Sequence, residues 1–171
     1  MKAVVYVSNS GYTKEYAQMI GRLCDLEVYS LKEASSHLAK GDPIVFLGWV
    51  MASGIRGFQK ADNVYDVKAV AAVGMTPEGE ENTNLIKSKH RIDLLPPFFY
   101  LQGGFDIKRL HGFYRWIMLK ISKSILAQIN KKEDKTKAEE KMIEMLTVGC
   151  SCVSEENAHE MIEWIRAHKE D

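Results

Sequence analysis

Ser8-Asn9-Ser10-Gly11-Tyr12-Thr13 gathers three hydroxyl side chains and a glycine within six residues, directly after an apolar run and directly before an amphipathic one. Hydroxyls can donate to an anion, and glycine lets the backbone approach it closely. Successive N–H groups at a strand-to-helix turn, with the positive end of the helix behind them, complete an anion site. The segment has no Lys or Arg. It lacks the Gly-Lys-Ser/Thr of a nucleotide triphosphate loop and the Gly-x-Gly-x-x-Gly of a dinucleotide fingerprint. No acidic residue follows the first strand to accept a phosphoryl group, and Cys24 lies too far along, inside the first helix, to act as a nucleophile there. The pattern therefore fits a phosphate that is held and not attacked, against the plainer reading of a helix-capping turn with no ligand.

Two further segments carry chemistry. Gly48-Trp49-Val50-Met51-Ala52-Ser53-Gly54 sets one large aromatic among small residues at the end of a strand. Trp49 can stack on a flat ring, contributing on the order of 1 kcal/mol beyond burial, or pack into the core. Residues 107–132 hold Lys108, Arg109, Arg115, Lys120, Lys123, Lys131 and Lys132 with no acidic residue. Leu110, Phe113, Ile117, Ile121, Ile125 and Ile129 recur there at helical spacing, widened by Trp116, Met118, Leu119 and Leu126. A basic amphipathic helix can lie on an anionic membrane surface; the alternative is a helix covering the sheet with its lysines in water. Cys150 and Cys152 stand too close for an ordinary disulfide and lack the companions of a zinc site. None of the five histidines pairs with a nucleophile or carboxylate in a catalytic spacing.

The elements that must position these residues alternate. Lys2–Val7, Leu26–Ser30, Pro43–Gly48, Val67–Met75 and Pro97–Gln102 read as strands, and the unbroken apolar runs 44–47 and 70–73 suit strands buried on both faces of a parallel sheet. Tyr16, Ile20, Leu23 and Cys24 form one face of a helix starting near Thr13; Ala158, Met161, Ile162 and Ile165 do so near the C-terminus, with Ser154 as its cap. One further helix is expected around Asn84–His90 in the polar stretch 77–96. This alternation predicts a doubly wound α/β sheet of five strands with helices on both faces. Length 171 suits a single domain, 1–171, with an extended helical segment at about 106–146.

Composition excludes other classes. The 23 basic and 23 acidic residues cancel, which argues against a nucleic-acid-coating protein. An odd three cysteines, with no apolar signal region at the N-terminus, point to a reducing cytoplasm. The longest nearly apolar run, 44–55, is shorter than the ~20 residues of a spanning helix, leaving a peripheral position at the inner face of a membrane as the alternative to free cytoplasm.

Residues 8–13 match at every fixed position the Thr/Ser-x-Thr/Ser-Gly-x-Thr/Ser loop that binds the FMN phosphate in the flavodoxin superfamily, which the chain resembles. The resemblance implies a flavodoxin-like three-layer sandwich with strand order 2-1-3-4-5, and FMN as cofactor held by Ser8, Asn9, Ser10, Gly11, Tyr12 and Thr13. It places Trp49, Val50, Met51, Ala52, Ser53 and Gly54 beside one side of the flavin ring and Gly74, Met75 and Thr76 beside the other, where no aromatic takes the place of the tyrosine usual in flavodoxins. Phe99-Tyr100-Leu101-Gln102-Gly103-Gly104-Phe105-Asp106, followed by Phe113-Tyr114-Arg115-Trp116 and Ile117-Met118-Leu119-Lys120, looks like the branch containing menaquinone-dependent protoporphyrinogen dehydrogenase. That branch implies an oxidoreductase passing electrons from a porphyrinogen through FMN to a quinone, with Lys108, Arg109 and Arg115 near propionates. A flavodoxin-type carrier serving redox proteins, or a binding module without flavin, are the alternatives.

Overall fold

In the computed structural model, which describes residues 1–77, 79–90, 97–132 and 134–169, the predicted alternation is present. The order is β1 (Ala3–Val7), α1 (Tyr12–Cys24), β2 (Glu27–Ser30), the single-turn α2 (Leu31–Ala34), β3 (Pro43–Met51), β4 (Gly54–Ile55), α3 (Phe58–Asp62) and β5 (Asp66–Gly74). There follow α4 (Glu80–His90), β6 (Phe98–Gln102), β7 (Gly104–Phe105), α5 (Gly112–Ile129), α6 (Lys137–Thr147), β8 (Cys150–Ser151) and α7 (Glu155–Ala167). Positions 78 and 91–96 of the polar stretch lie outside the described residues.

Five strands pair in parallel as β2-β1-β3-β5-β6, which is the expected order 2-1-3-4-5. β4 adds an antiparallel pair on β3, and β7 with β8 forms a separate antiparallel pair. These two-residue strands are too short to show an alternation in sequence. The sheet grows one way from β1 to β2 and the other way from β1 to β3, so the crevice for a ligand opens at the carboxyl ends of β1 and β3.

Each central strand is buried on both faces. Val45 and Leu47 of β3 pack with Tyr16, Ile20, Met161 and Ile165 from α1 and α7. Ile44 and Phe46 pack with Phe58, Ala61 and Ile86 from α3 and α4. The β3–β5 register shifts once, between Ile44 and Val45, and the extra residue Lys68 puts Val67 and Val70 on the same face.

The helix expected to cover the sheet after the last parallel strand does not do so. Only Ser122 and Ile129 of α5 are buried, and α5 packs on α6 while α7 takes the place on the sheet beside α1. The stripe read from sequence explains the outcome. An i+4 row drifts about 40° per step around a helix of 3.6 residues per turn, so a row from Phe113 to Ile129 begins in solvent and ends buried.

The Tyr16 hydroxyl ties the two halves together: it donates to the Gln102 carbonyl at 2.6 Å and lies 3.0 Å from the Cys152 carbonyl. Removing it takes this donor from the Gln102 carbonyl, while the Cys152 carbonyl still accepts from Asn157 Nδ2 at 2.7 Å, a loss of about 1–3 kcal/mol. Tyr16→Phe is expected to lower the urea midpoint correspondingly with the slope unchanged.

Candidate functional site

The head of α1 is shaped by Gly11. Its φ of +96° belongs to the left-handed region, which costs a residue with a Cβ on the order of 1–2 kcal/mol. The Gly11 N–H donates to Ser8 Oγ at 3.1 Å, closing the loop on itself. No side chain caps α1, so its first-turn amides remain to serve a ligand. Ser10 and the buried Thr13 make no hydrogen bond through their hydroxyls to another described residue, and both line a cavity of about 290 Å³ at the carboxyl edge of the sheet.

That cavity brings together much of what the sequence singled out. Ser10, Tyr12 and Thr13 form one end; Trp49, Val50, Met51 and Ala52 one wall; Gly74 and Met75 the floor beside them. Ser8, Asn9 and Gly11 instead face a shallow cleft with Lys14 and Lys32 on the other side of the loop. Ser53 and Thr76 line an adjoining cleft under Tyr100, and Gly54 is taken up in pairing with Met51.

Trp49 is half-buried and lines the cavity, with its edge against Tyr114 of α5 (centroids 5.0 Å apart, planes at 82°). Arg56 lies 6.0 Å over the indole and donates from Nη2 to the Tyr114 hydroxyl at 3.2 Å. Gly74 is required by Tyr100, whose hydroxyl oxygen would lie 1.9 Å from a Cβ there and which donates to the Thr76 carbonyl at 2.9 Å.

The remaining wall was not assigned from sequence. Gly103, Gly104 and Phe105 close one side, and Leu110, Tyr114, Ile117 and Met118 close the top. None of the cavity-lining residues carries a carboxylate, imidazole, amine or guanidinium. Their signal was the small-residue end of the last parallel strand and the aromatic run after it, but which face of α5 turns inward depends on where the helix starts.

Arg109 is the least legible member of the site. Reaching across from the approach to α5, it pairs with Glu15, lies 4.2 Å over the Tyr12 ring, and would sit 2.7 Å from a Cβ on Gly11. Two residues on, the His111 N–H donates to Asn9 Oδ1 at 3.4 Å. The segment before α5 thus straps the loop, and supplies the cation that the loop itself lacks. Hydrogen bonding to Glu15 holds the Arg109 guanidinium above even its usual high range. The Tyr12 hydroxyl, pushed up by burial, donates to the Cys150 carbonyl at 3.0 Å.

The turn beyond Trp49 is strained. Ala52 and Ser53 have φ of 48° and 57°, the positive pair of a two-residue hairpin that normally calls for Gly or Asn. The end of α4 braces it: Lys89 Nζ donates to the Ala52 carbonyl at 2.6 Å, and His90 Nε2 accepts the Ile55 N–H at 2.7 Å.

A parallel sheet whose strand order reverses between β1 and β3, with a hydroxyl-and-glycine loop at the head of α1 and a cavity beside it, defines an α/β protein of the doubly wound class, whose members bind ligands at that switch point. The model of the flavodoxin domain matches residues 3–137, and the chain belongs to that family. Among solved structures, a flavodoxin from the domain Archaea is 22% identical over 60% of this chain and 85% of its own, with a TM-score of 0.39. The Trp repressor binding protein of Bacillus subtilis is 16% identical over the same shares, with a TM-score of 0.40. No curated protein matches the chain in sequence. Among the described residues no helix is long and apolar enough to cross a membrane.

Two expectations follow from this geometry. Arg109→Met removes the cation facing the loop and is expected to weaken binding of a phosphate-bearing ligand roughly tenfold; Arg109→Lys does not restore it, because stacking on Tyr12 needs the planar guanidinium. Equal affinities by calorimetry would refute the role. The second concerns His90, held below its ordinary 6.5 first by burial and then by the Lys89 charge. As an acceptor it must be neutral, so its stabilisation is present above about pH 6.5 and lost as pH falls through its lower folded value. Urea titrations from pH 8 to 5 are expected to show a loss in the native chain that His90→Gln flattens.

Proposed function

We propose that this protein is an FMN-dependent oxidoreductase acting on a hydrophobic substrate of the porphyrinogen class and passing the electrons to a quinone, as the likeness of residues 99–120 to protoporphyrinogen dehydrogenase implies. The observation that carries the reading is the apolar roof of Leu110, Tyr114, Ile117 and Met118 over the cavity. A carrier that meets only redox proteins needs an open ring edge; a roof gives room and shelter to an apolar molecule. FMN suits the donors present: the unpartnered hydroxyls of Ser10 and Thr13 and the uncapped amides of α1 fit a phosphate.

When bound, FMN supplies the hydride and single-electron chemistry that the side chains lack. The α1 amides, Ser10 and Thr13 hold its phosphate, with Arg109 on the far side of the loop. Trp49 offers an aromatic surface to the ring, and Tyr114 fixes the indole's orientation through the edge contact. Ile117 and Met118 exclude water. Among the described lining residues the proton-bearing side chains are the hydroxyls of Ser10, Thr13, Tyr12 and Tyr114, and the protein's part is chiefly orientation and shelter.

The first test is the visible spectrum of the purified protein before and after adding FMN. A bound-flavin spectrum that disappears in Ser10→Leu and Thr13→Leu is expected, followed by turnover of protoporphyrinogen with menaquinone. Bound flavin without turnover of either compound would favour the electron carrier. No binding at micromolar FMN would leave a flavin-free binding module and overturn the redox reading.

A further inference from the structure

Among the described residues nothing covers the outer face of α5. Phe113 is 66% exposed and Trp116 53% exposed, with Leu119 beside them also in solvent. Side chains this large are expected to be covered by something. Phe113, Trp116, Lys120, Lys123 and Ala127 follow one another at steps of three and four, so they share one side of the helix. Phe113 stacks on Trp116 at 5.9 Å, and Lys120 Nζ lies 4.0 Å from the Trp116 ring centroid. Aromatic rings interleaved with long cationic side chains suit a boundary between hydrocarbon and charge: the rings and alkyl stems enter the apolar side while the ammonium groups stay with the headgroups.

Charge decides the occupant. Residues 107–132 carry seven basic residues and no acidic one, while the rest of the chain, with 16 basic and 23 acidic residues, is at −7. Two of the seven are already paired, Arg109 with Glu15 and Lys132 with Glu139, and Asp106 accepts from the Lys108 N–H at 2.8 Å; on α6, which packs on α5, Glu140 and Glu144 are exposed. A second copy would bring Phe113 and Trp116 together but would also face lysines with lysines. We propose that α5 docks on the surface of an anionic lipid bilayer, lying in its plane with Phe113 and Trp116 inserted and Lys120 and Lys123 at the headgroups. Its opposite face, through Tyr114, Ile117 and Met118, lines the cavity, so docking would bring the bilayer to the helix that covers it. The docking rests on the outer face alone and stands apart from the flavin reading, so it is tested with and without added FMN.

The test is co-sedimentation of the full chain with phosphatidylcholine vesicles, with and without phosphatidylglycerol. Sedimentation only with the anionic vesicles, reduced by salt, is expected. Lys120→Glu with Lys123→Glu should weaken it by roughly 30-fold or more, and Phe113→Ser with Trp116→Ser should abolish it. These positions are exposed, and unchanged circular dichroism melts confirm that each variant folds. Three results overturn the proposal: no binding to anionic vesicles, binding that survives charge reversal, or a dimer in ultracentrifugation that Phe113→Ser with Trp116→Ser dissociates while vesicles are ignored.

Discussion

The way the chain leaves β1 constrains everything at the carboxyl edge of the sheet. Gly11 turns the backbone through a left-handed conformation, and within the next five residues three side chains reach to distant parts of the molecule. Tyr12 bonds the Cys150 carbonyl, Glu15 pairs with Arg109, and Tyr16 meets the Gln102 and Cys152 carbonyls. The strand ends carrying Gly103, Gly104 and Cys150 are therefore located relative to the same helical turn whose first amides no side chain caps. A loop that only capped a helix would not need these ties; one that must hold a ligand between four strand ends does, because misplacing one wall by an ångström spoils the fit.

The parallel core and the hydroxyl loop were legible because their signals are local. Runs such as Ile44-Val45-Phe46-Leu47 are apolar without alternation, and strands buried on both faces leave no other reading. The loop is six consecutive residues in a fixed pattern. What could not be read depends on contacts between distant segments. Arg109 lies 94 positions from Glu15, and nothing in its neighbourhood in sequence says that it returns to the first loop. Likewise β8 exists only because Gly104 and Phe105 lie alongside Cys150 and Ser151.

Which of its two possible places α5 takes was hidden from the sequence for a different reason. Its large apolar residues lie on two sides, with Tyr114, Ile117 and Met118 inward and Phe113, Trp116 and Leu119 outward among the lysines, and so broad an apolar surface suits a sheet-covering helix as well as an interfacial one. The sheet face it was expected to fill was already filled by α7, whose Ala158, Met161, Ile162 and Ile165 pack on α1. Periodicity identifies an apolar face but not the claimant that reaches it, and two helices competed for one layer.

The two ends of the cavity are built on opposite terms. At the head of α1, Gly11 takes the left-handed conformation at no steric cost because it lacks a Cβ, so the loop holds its shape without strain. At the end beside Trp49, Ala52 and Ser53 occupy positive φ without being glycine, and the conformation persists because α4 braces it through Lys89 and His90. One brace is a charged donor and the other a histidine that must remain neutral, so protonation of His90 weakens the support of the strained turn without touching the rigid loop. The likelihood of motion is thereby placed at one end of the site: where a ring would meet Met51 and Ala52 the backbone has energy to release by rearranging, whereas where a phosphate would sit it has none. For a cofactor that stays bound while its reactive end changes state, a firm anchor and a compliant edge are compatible requirements, and the same short stretch of sheet edge meets both.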